Sequence, residues 1–112
     1  MMRRAYLAAC VCLSLSLSGP VLAQSPAPAD AGKRLFAQRC AMCHNAAGMG
    51  TGLLSRRMKP EVAELEKRDD LSAAFVVAAA RSGILNMPVI TRGDVGDKDL
   101  ALIANYLSKG KP

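Results

Sequence analysis

Cys40-Ala41-Met42-Cys43-His44 sets two thiols and an imidazole at i, i+3 and i+4. On one turn of helix those positions share a face. Such a set could act as a catalytic thiol pair, close a disulfide, hold zinc or carry a covalently attached haem. A structural zinc site takes four ligands and usually draws on a second Cys or His pair. Beyond this turn the chain has only Cys10 and Cys12, both in an apolar N-terminal stretch, and His44 is its one histidine. A thioredoxin-like CxxC needs a sheet-bearing fold, and no stretch here alternates as a strand does. A Cys40–Cys43 disulfide would close a very small ring and stabilise little. Haem attachment uses all three groups: the sulfurs form thioethers with the two vinyl groups, and the next imidazole reaches the iron. CxxCH is the direct signature of that chemistry. Cys40 and Cys43 are the expected thioether residues of one haem c, and His44 is the expected proximal iron ligand. No catalytic residue is assigned.

A second imidazole is excluded on the far side of the iron, which leaves Met, Lys, Asn, water or nothing. A thioether is soft and neutral and raises the reduction potential. Met42 lies within the attachment turn and faces away. Met49 and Met58 follow His44 closely, on the histidine's side of the ring. Met87 comes 43 residues after His44, with two expected helices between, so the chain has room to reach the other face. Pro88 restricts the residue before it to extended backbone, which suits a side chain presented from a rigid loop. Met87 is the expected distal ligand.

These groups need helices to position them. Asp30 is read as the cap of a helix over 31–38, with Leu35 and Phe36 as its apolar residues. A short helical turn carries the CAMCH stretch. Residues 45–59, rich in glycine and without period, read as a loop. Pro60 suits the first position of a helix to about Lys67, with Val62 and Leu65 inward. Asp70 or Ser72 caps a helix over 73–82, which Gly83 ends. Residues 84–96 form a second loop, holding Met87. Asp97 caps a last helix over 98–109, with Leu100, Ile103, Tyr106 and Leu107 on one face. The expected class is all-α, with three to five helices wrapped round one covalently attached haem.

The N-terminus has the three parts of a secretory signal: basic Arg3-Arg4, an apolar run from Ala5 to Ser18, and small residues before Ala23. The run is shorter than the roughly 20 residues of a membrane span, which tells against the alternative of an uncleaved anchor. An acylation site at Cys10 is rejected because the apolar run continues past it. Cleavage is expected near Ala23, with export to the periplasm. The expected domains are a signal at 1–23, a Pro/Ala-rich tether at 24–29 and the haem domain at 30–112. Loss of residues 1–23 leaves 89, with 13 Lys and Arg against 9 Asp and Glu. A chain so short is often stapled by disulfides, metal or a cofactor. It has no Trp and two Phe, so a large planar ligand would supply core mass that aromatics usually provide.

With these residues in view, the chain resembles the small bacterial class I cytochromes c, monohaem periplasmic electron carriers. The likeness covers nearly all of the mature chain: a helix before CxxCH, a Gly-rich segment after it, Met-Pro in the second half and a terminal helix with an aromatic-Leu pair. The resemblance implies that Gly32 and Phe36 of the first helix pack against Ile103 and Tyr106 of the last. The family usually has Gly-Pro after the histidine, where a backbone carbonyl accepts the other imidazole N–H. Here Gly50-Thr51-Gly52-Leu53-Leu54 stands without proline, and a carbonyl near Gly52 or Leu53 is expected to serve.

Iron with two protein ligands has no open position, so the expected task is one-electron transfer between redox proteins. Residues 31–60 hold Lys33, Arg34, Arg39, Arg56, Arg57 and Lys59 and no acid, while 61–70 holds five acids against Lys67 and Arg68. One reading is an ordinary solvated surface. The other is a basic rim that steers the protein to an acidic patch on its partner. Nucleic acid is not an expected partner, and no stable membrane insertion is expected once the signal is removed. A monomeric carrier is the first expectation. A dedicated subunit of a periplasmic flavin, quinoprotein or molybdenum dehydrogenase is the alternative, and a haem enzyme or gas sensor a minor third.

Overall fold

A computed structural model describes Ser25 and residues 27–112. The signal reading at 1–23 lies outside the described residues. The order is α1 (Pro28–Arg39), α2 (Ala41–His44), α3 (Met49–Leu54), two 3-10 turns (Pro60–Val62 and Leu65–Lys67), α4 (Ala73–Ser82) and α5 (Asp97–Leu107). No strand is present among the described residues, and only Ile84 and Met87 form an isolated bridge. The class is all-α, as the patterning predicts.

The most extensive helix contact is between α1 and α5. It depends on Gly32, where an added Cβ would lie 2.7 Å from Tyr106 Cβ and would overlap the Leu102 carbonyl oxygen. With no side chain there, two backbones meet and Phe36 reaches the far helix. Phe36 and Tyr106 rings are tilted, with centroids 6.1 Å apart. Phe36 and Ile103 are each 1% exposed and join Leu71, Ala80, Val95, Leu100 and Leu107 in one cluster. The pairing of Gly32 and Phe36 with Ile103 and Tyr106 is thus present. The Tyr106 hydroxyl donates to Glu66, which ties α5 to the second 3-10 turn. Burial first, and then Glu66, push its phenol up to about 12.

Several boundaries differ from expectation. Helix α1 starts at Pro28, inside the stretch read as tether, and Asp30 lies in its first turn with no side-chain cap. Proline at the first position has no N–H to satisfy and a preset φ, which suits a helix start at this residue. The 60–67 helix is two 3-10 turns, and their i, i+3 period moves the inward position: Val62 is exposed while Ala63 is fully buried. Ser72 does cap α4, its hydroxyl accepting from the Phe75 N–H at 3.1 Å. Asp97 is the first residue of α5, with Gly96 before it at the cap.

Candidate functional site

The attachment turn starts where α1 stops. Cys40 has φ −122° and ψ −32°, a break between two helices. Its N–H still donates to the Phe36 carbonyl at 2.8 Å, while its own carbonyl accepts from Cys43 and His44 N–H, each at 3.1 Å. The Asn45 N–H closes the turn on the Ala41 carbonyl at 2.8 Å. Residues 40–44 are therefore wound as one helical turn, the geometry that sets i, i+3 and i+4 on a common face. Met42 is 85% exposed. Cys40 and Cys43 are both free thiols and half-buried. Burial, and secondarily Cys43, push the Cys40 thiol above its ordinary value.

Helix α3 forms a wall beside this turn, where the sequence reads as loop. Its closeness is set by two glycines. A Cβ at Gly48 would overlap the Cys43 carbonyl. A Cβ at Gly50 would lie 2.8 Å from the Cys43 oxygen and 3.2 Å and 3.3 Å from Cε1 and Nδ1 of His44. A side chain at Gly50 would conflict with the Cys43 carbonyl and crowd the imidazole. Gly48 and Gly50 are thus site residues that the sequence reading passed over; the available signal was two glycines two apart, just after the histidine.

Burial pulls the His44 pKa below its usual value and favours the neutral ring, the form that can donate a lone pair to a metal. Its Nδ1 is buried with no hydrogen-bond partner, as is Thr51 Oγ1. The expected acceptor near Gly52 or Leu53 is not found. The Gly52 carbonyl accepts from Ser55 Oγ at 2.8 Å, and the Leu53 carbonyl accepts from the Arg56 N–H at 3.4 Å. Because 49–54 is helical, these carbonyls run along the helix toward later residues.

The four methionines after Cys40 have distinct surroundings. Met42 and Met49 are exposed, Met49 by 72%. Met58 Sδ lies 4.0 Å from Arg68 Nη1, in a cleft with Val62, Asp69 and Asp70. Met87 is half-buried and packs, as Cys40 does, on the rim of the main apolar cluster. Its loop begins at Gly83, whose φ of 71° and ψ of 161° fall in a region open essentially to glycine alone. Ile84 and Met87 then exchange backbone bonds, 3.2 Å from the Ile84 N–H and 2.8 Å from the Met87 N–H. Between them Leu85 has φ 54°, unusual for a bulky residue.

A family model described as "Cytochrome C oxidase, cbb3-type, subunit III" matches residues 27–107. The chain belongs to this cytochrome c family. Neither curated proteins nor solved structures yielded a match. Cytochromes c of this family bind haem c covalently, and one haem fits a domain of this size. The residues present in this cytochrome fit that group. A thiol pair free of disulfide, a neutral half-buried imidazole with an orphaned nitrogen, and a glycine that leaves room for the ring lie within eleven residues. The family places the chain among haem-based electron carriers. No described helix is long and apolar enough to cross a membrane.

Proposed function

We propose that this cytochrome is a periplasmic one-electron carrier, non-catalytic, with haem c on Cys40 and Cys43 and axial ligands His44 and Met87. The observation that carries the reading is the half-buried His44 imidazole, its Nδ1 buried and without a partner, on the same turn as two free thiols. When bound, the haem supplies a one-electron couple that the polypeptide lacks. The protein's own part is to hold. Cys40 and Cys43 would anchor the group by two thioether bonds, α3 packs beside the His44 imidazole where Gly50 leaves it room, and the 84–96 loop would offer the Met87 thioether. Met87 supports this assignment by its half-burial and its pinned loop, whereas Met58 is engaged by Arg68 and the other two are exposed. Ligands held in both oxidation states keep reorganisation small. Coexpression with haem maturation machinery should yield a chain cut near Ala23 and heavier than its polypeptide by one haem in mass spectrometry. A mature chain of polypeptide mass alone would remove the reading.

The partner is proposed to be a redox protein with an acidic docking surface. Lys33, Arg34, Arg39, Arg56, Arg57 and Lys59 are exposed, and none of them joins an ion pair among the described residues. In the acidic stretch, Glu64 and Asp70 are paired with Lys67 and Arg68. The basic segment therefore presents six unpaired cations, while Glu61, Glu66 and Asp69 leave the following stretch net negative. The bimolecular electron-transfer rate with an acidic redox partner should fall as salt rises from 0.01 M to 0.15 M, where the screening length shortens from about 30 Å to about 8 Å. A flat response would leave apolar docking instead. A dedicated-subunit reading is favoured by one observation: Ile84, Leu85 and Val89 of the Met87 loop are 43%, 76% and 52% exposed. A monomer on gentle purification supports the carrier, and stable co-elution with a dehydrogenase supports the subunit.

A further inference from the structure

The Met87 loop is long, from Gly83 to Gly96, and only half of its large apolar side chains pack inward. Ile84, Leu85 and Val89 are exposed, and among its hydrophobic residues Met87, Ile90 and Val95 reach the apolar cluster. Its polar anchoring is concentrated on one side chain. Arg81, in the last turn of α4, donates from Nη1 to the Ile90 carbonyl at 2.8 Å. From Nη2 it donates to the Val95 carbonyl at 2.9 Å and to Asp97 Oδ1 at 2.8 Å. The preceding residue adds a fourth tie, the Ile90 N–H donating to the Ala80 carbonyl at 2.8 Å. Arg92 donates to the other oxygen of Asp97 at 2.8 Å and steadies it.

We propose that Arg81 is the positioning residue for the distal ligand: its guanidinium clamps the loop to the ends of α4 and α5 and thereby sets how readily Met87 leaves the iron. The inference rests on Met87 being that ligand. The geometry distinguishes a clamp from a general strut. The three acceptors lie 9, 14 and 16 residues further along the chain, two of them on loop carbonyls and one at the start of α5. A planar fork with several fixed donors can hold such a set together; a lysine ammonium is a point charge on a flexible stem. With the clamp removed, the Ile90 and Val95 carbonyls lose a charged donor, and the loop's remaining polar ties are the Ile90–Ala80 bond, the Ile84–Met87 pair, the exposed Arg92–Asp97 bond and local turns around Thr91 and Asp94.

The test uses the haem-loaded protein in its ferric form, with cyanide as probe. The readouts are the cyanide-binding rate and amide hydrogen exchange at the Met87 and Ile90 N–H groups. Arg81→Met should bind cyanide tenfold or more faster than the parent and exchange both amides faster. Arg81→Lys should fall between the two. Tyr106→Phe, which removes the bond to Glu66 away from the loop, should leave the cyanide rate unchanged. Parental cyanide binding in Arg81→Met, beside fast binding in Met87→Ala, overturns the clamp while leaving the ligand in place. Parental binding in Met87→Ala itself overturns the ligand reading and the clamp with it. If Arg81→Met fails to mature, Arg81→Lys decides: acceleration of threefold or more supports the clamp, and none overturns it.

Discussion

Met87→Ala should turn the ferric protein from low spin to high spin and speed cyanide binding by about ten- to a thousandfold. The magnitude follows from competition. An external ligand reaches the distal position only in the fraction of molecules whose own ligand has left, and a minor state of this kind is commonly about 0.1–10% populated. Deleting the thioether makes nearly every molecule competent. The reduction potential should also fall, since the sulfur favours the ferrous state. No other methionine is placed to substitute cheaply. Met42 and Met49 stand in solvent, and Met58 is held beside Arg68. The haem should stay attached, because thioether bonds at Cys40 and Cys43 are covalent and do not depend on the Met87 side chain. Absorption spectra of the oxidised and reduced forms, with stopped-flow cyanide binding, check the result. A low-spin spectrum and slow binding in Met87→Ala would assign the distal position to another group.

What the sequence made legible was local or periodic. CxxCH needs only the helix repeat to bring its three groups to one face, and residues 40–44 form that turn. Ser72 as cap and Gly83 as stop follow from side-chain and backbone preferences of single residues. The α1–α5 contact was visible through the resemblance to class I cytochromes c, which implies that Gly32 and Phe36 pack against Ile103 and Tyr106. What was hidden depends on contacts distant in sequence. Helix α3 contains Gly50 and Gly52, each less favourable than alanine by about 1 kcal/mol in a helix, so its own propensity argues against it. It forms beside the attachment turn, where Gly48 and Gly50 permit contact that larger residues would block. The unpaired His44 Nδ1 follows from the same helix, since its carbonyls are spent on the residues that follow. Arg81 gave no sign in the sequence, because its meaning lies in carbonyls that only the folded loop brings to it.

Gly32→Val should destabilise the protein by about 3 kcal/mol or more, and the sign for Gly32→Ala is the sharper test. On an exposed helix, alanine in place of glycine stabilises by about 1 kcal/mol. At Gly32 the new carbon would meet the Leu102 carbonyl oxygen and Tyr106 Cβ. One of those is backbone and the other the first carbon of a packed ring, so neither can rotate away. Relief requires α1 and α5 to separate, which loosens Phe36 and Ile103, both 1% exposed. Overpacking of this kind commonly costs about 1–3 kcal/mol, and valine adds two methyl groups to the overlap. A domain of this size has only about 5–15 kcal/mol in total, so the valine variant should lose a large share of it. The consequence extends to the site, because α1 runs directly into the attachment turn through the Cys40 N–H to Phe36 carbonyl bond. Urea denaturation of the haem-loaded variants provides the measurement. A Gly32→Ala midpoint at or above that of the parent would mean that the two helices do not cross as closely as the Gly32 contact requires.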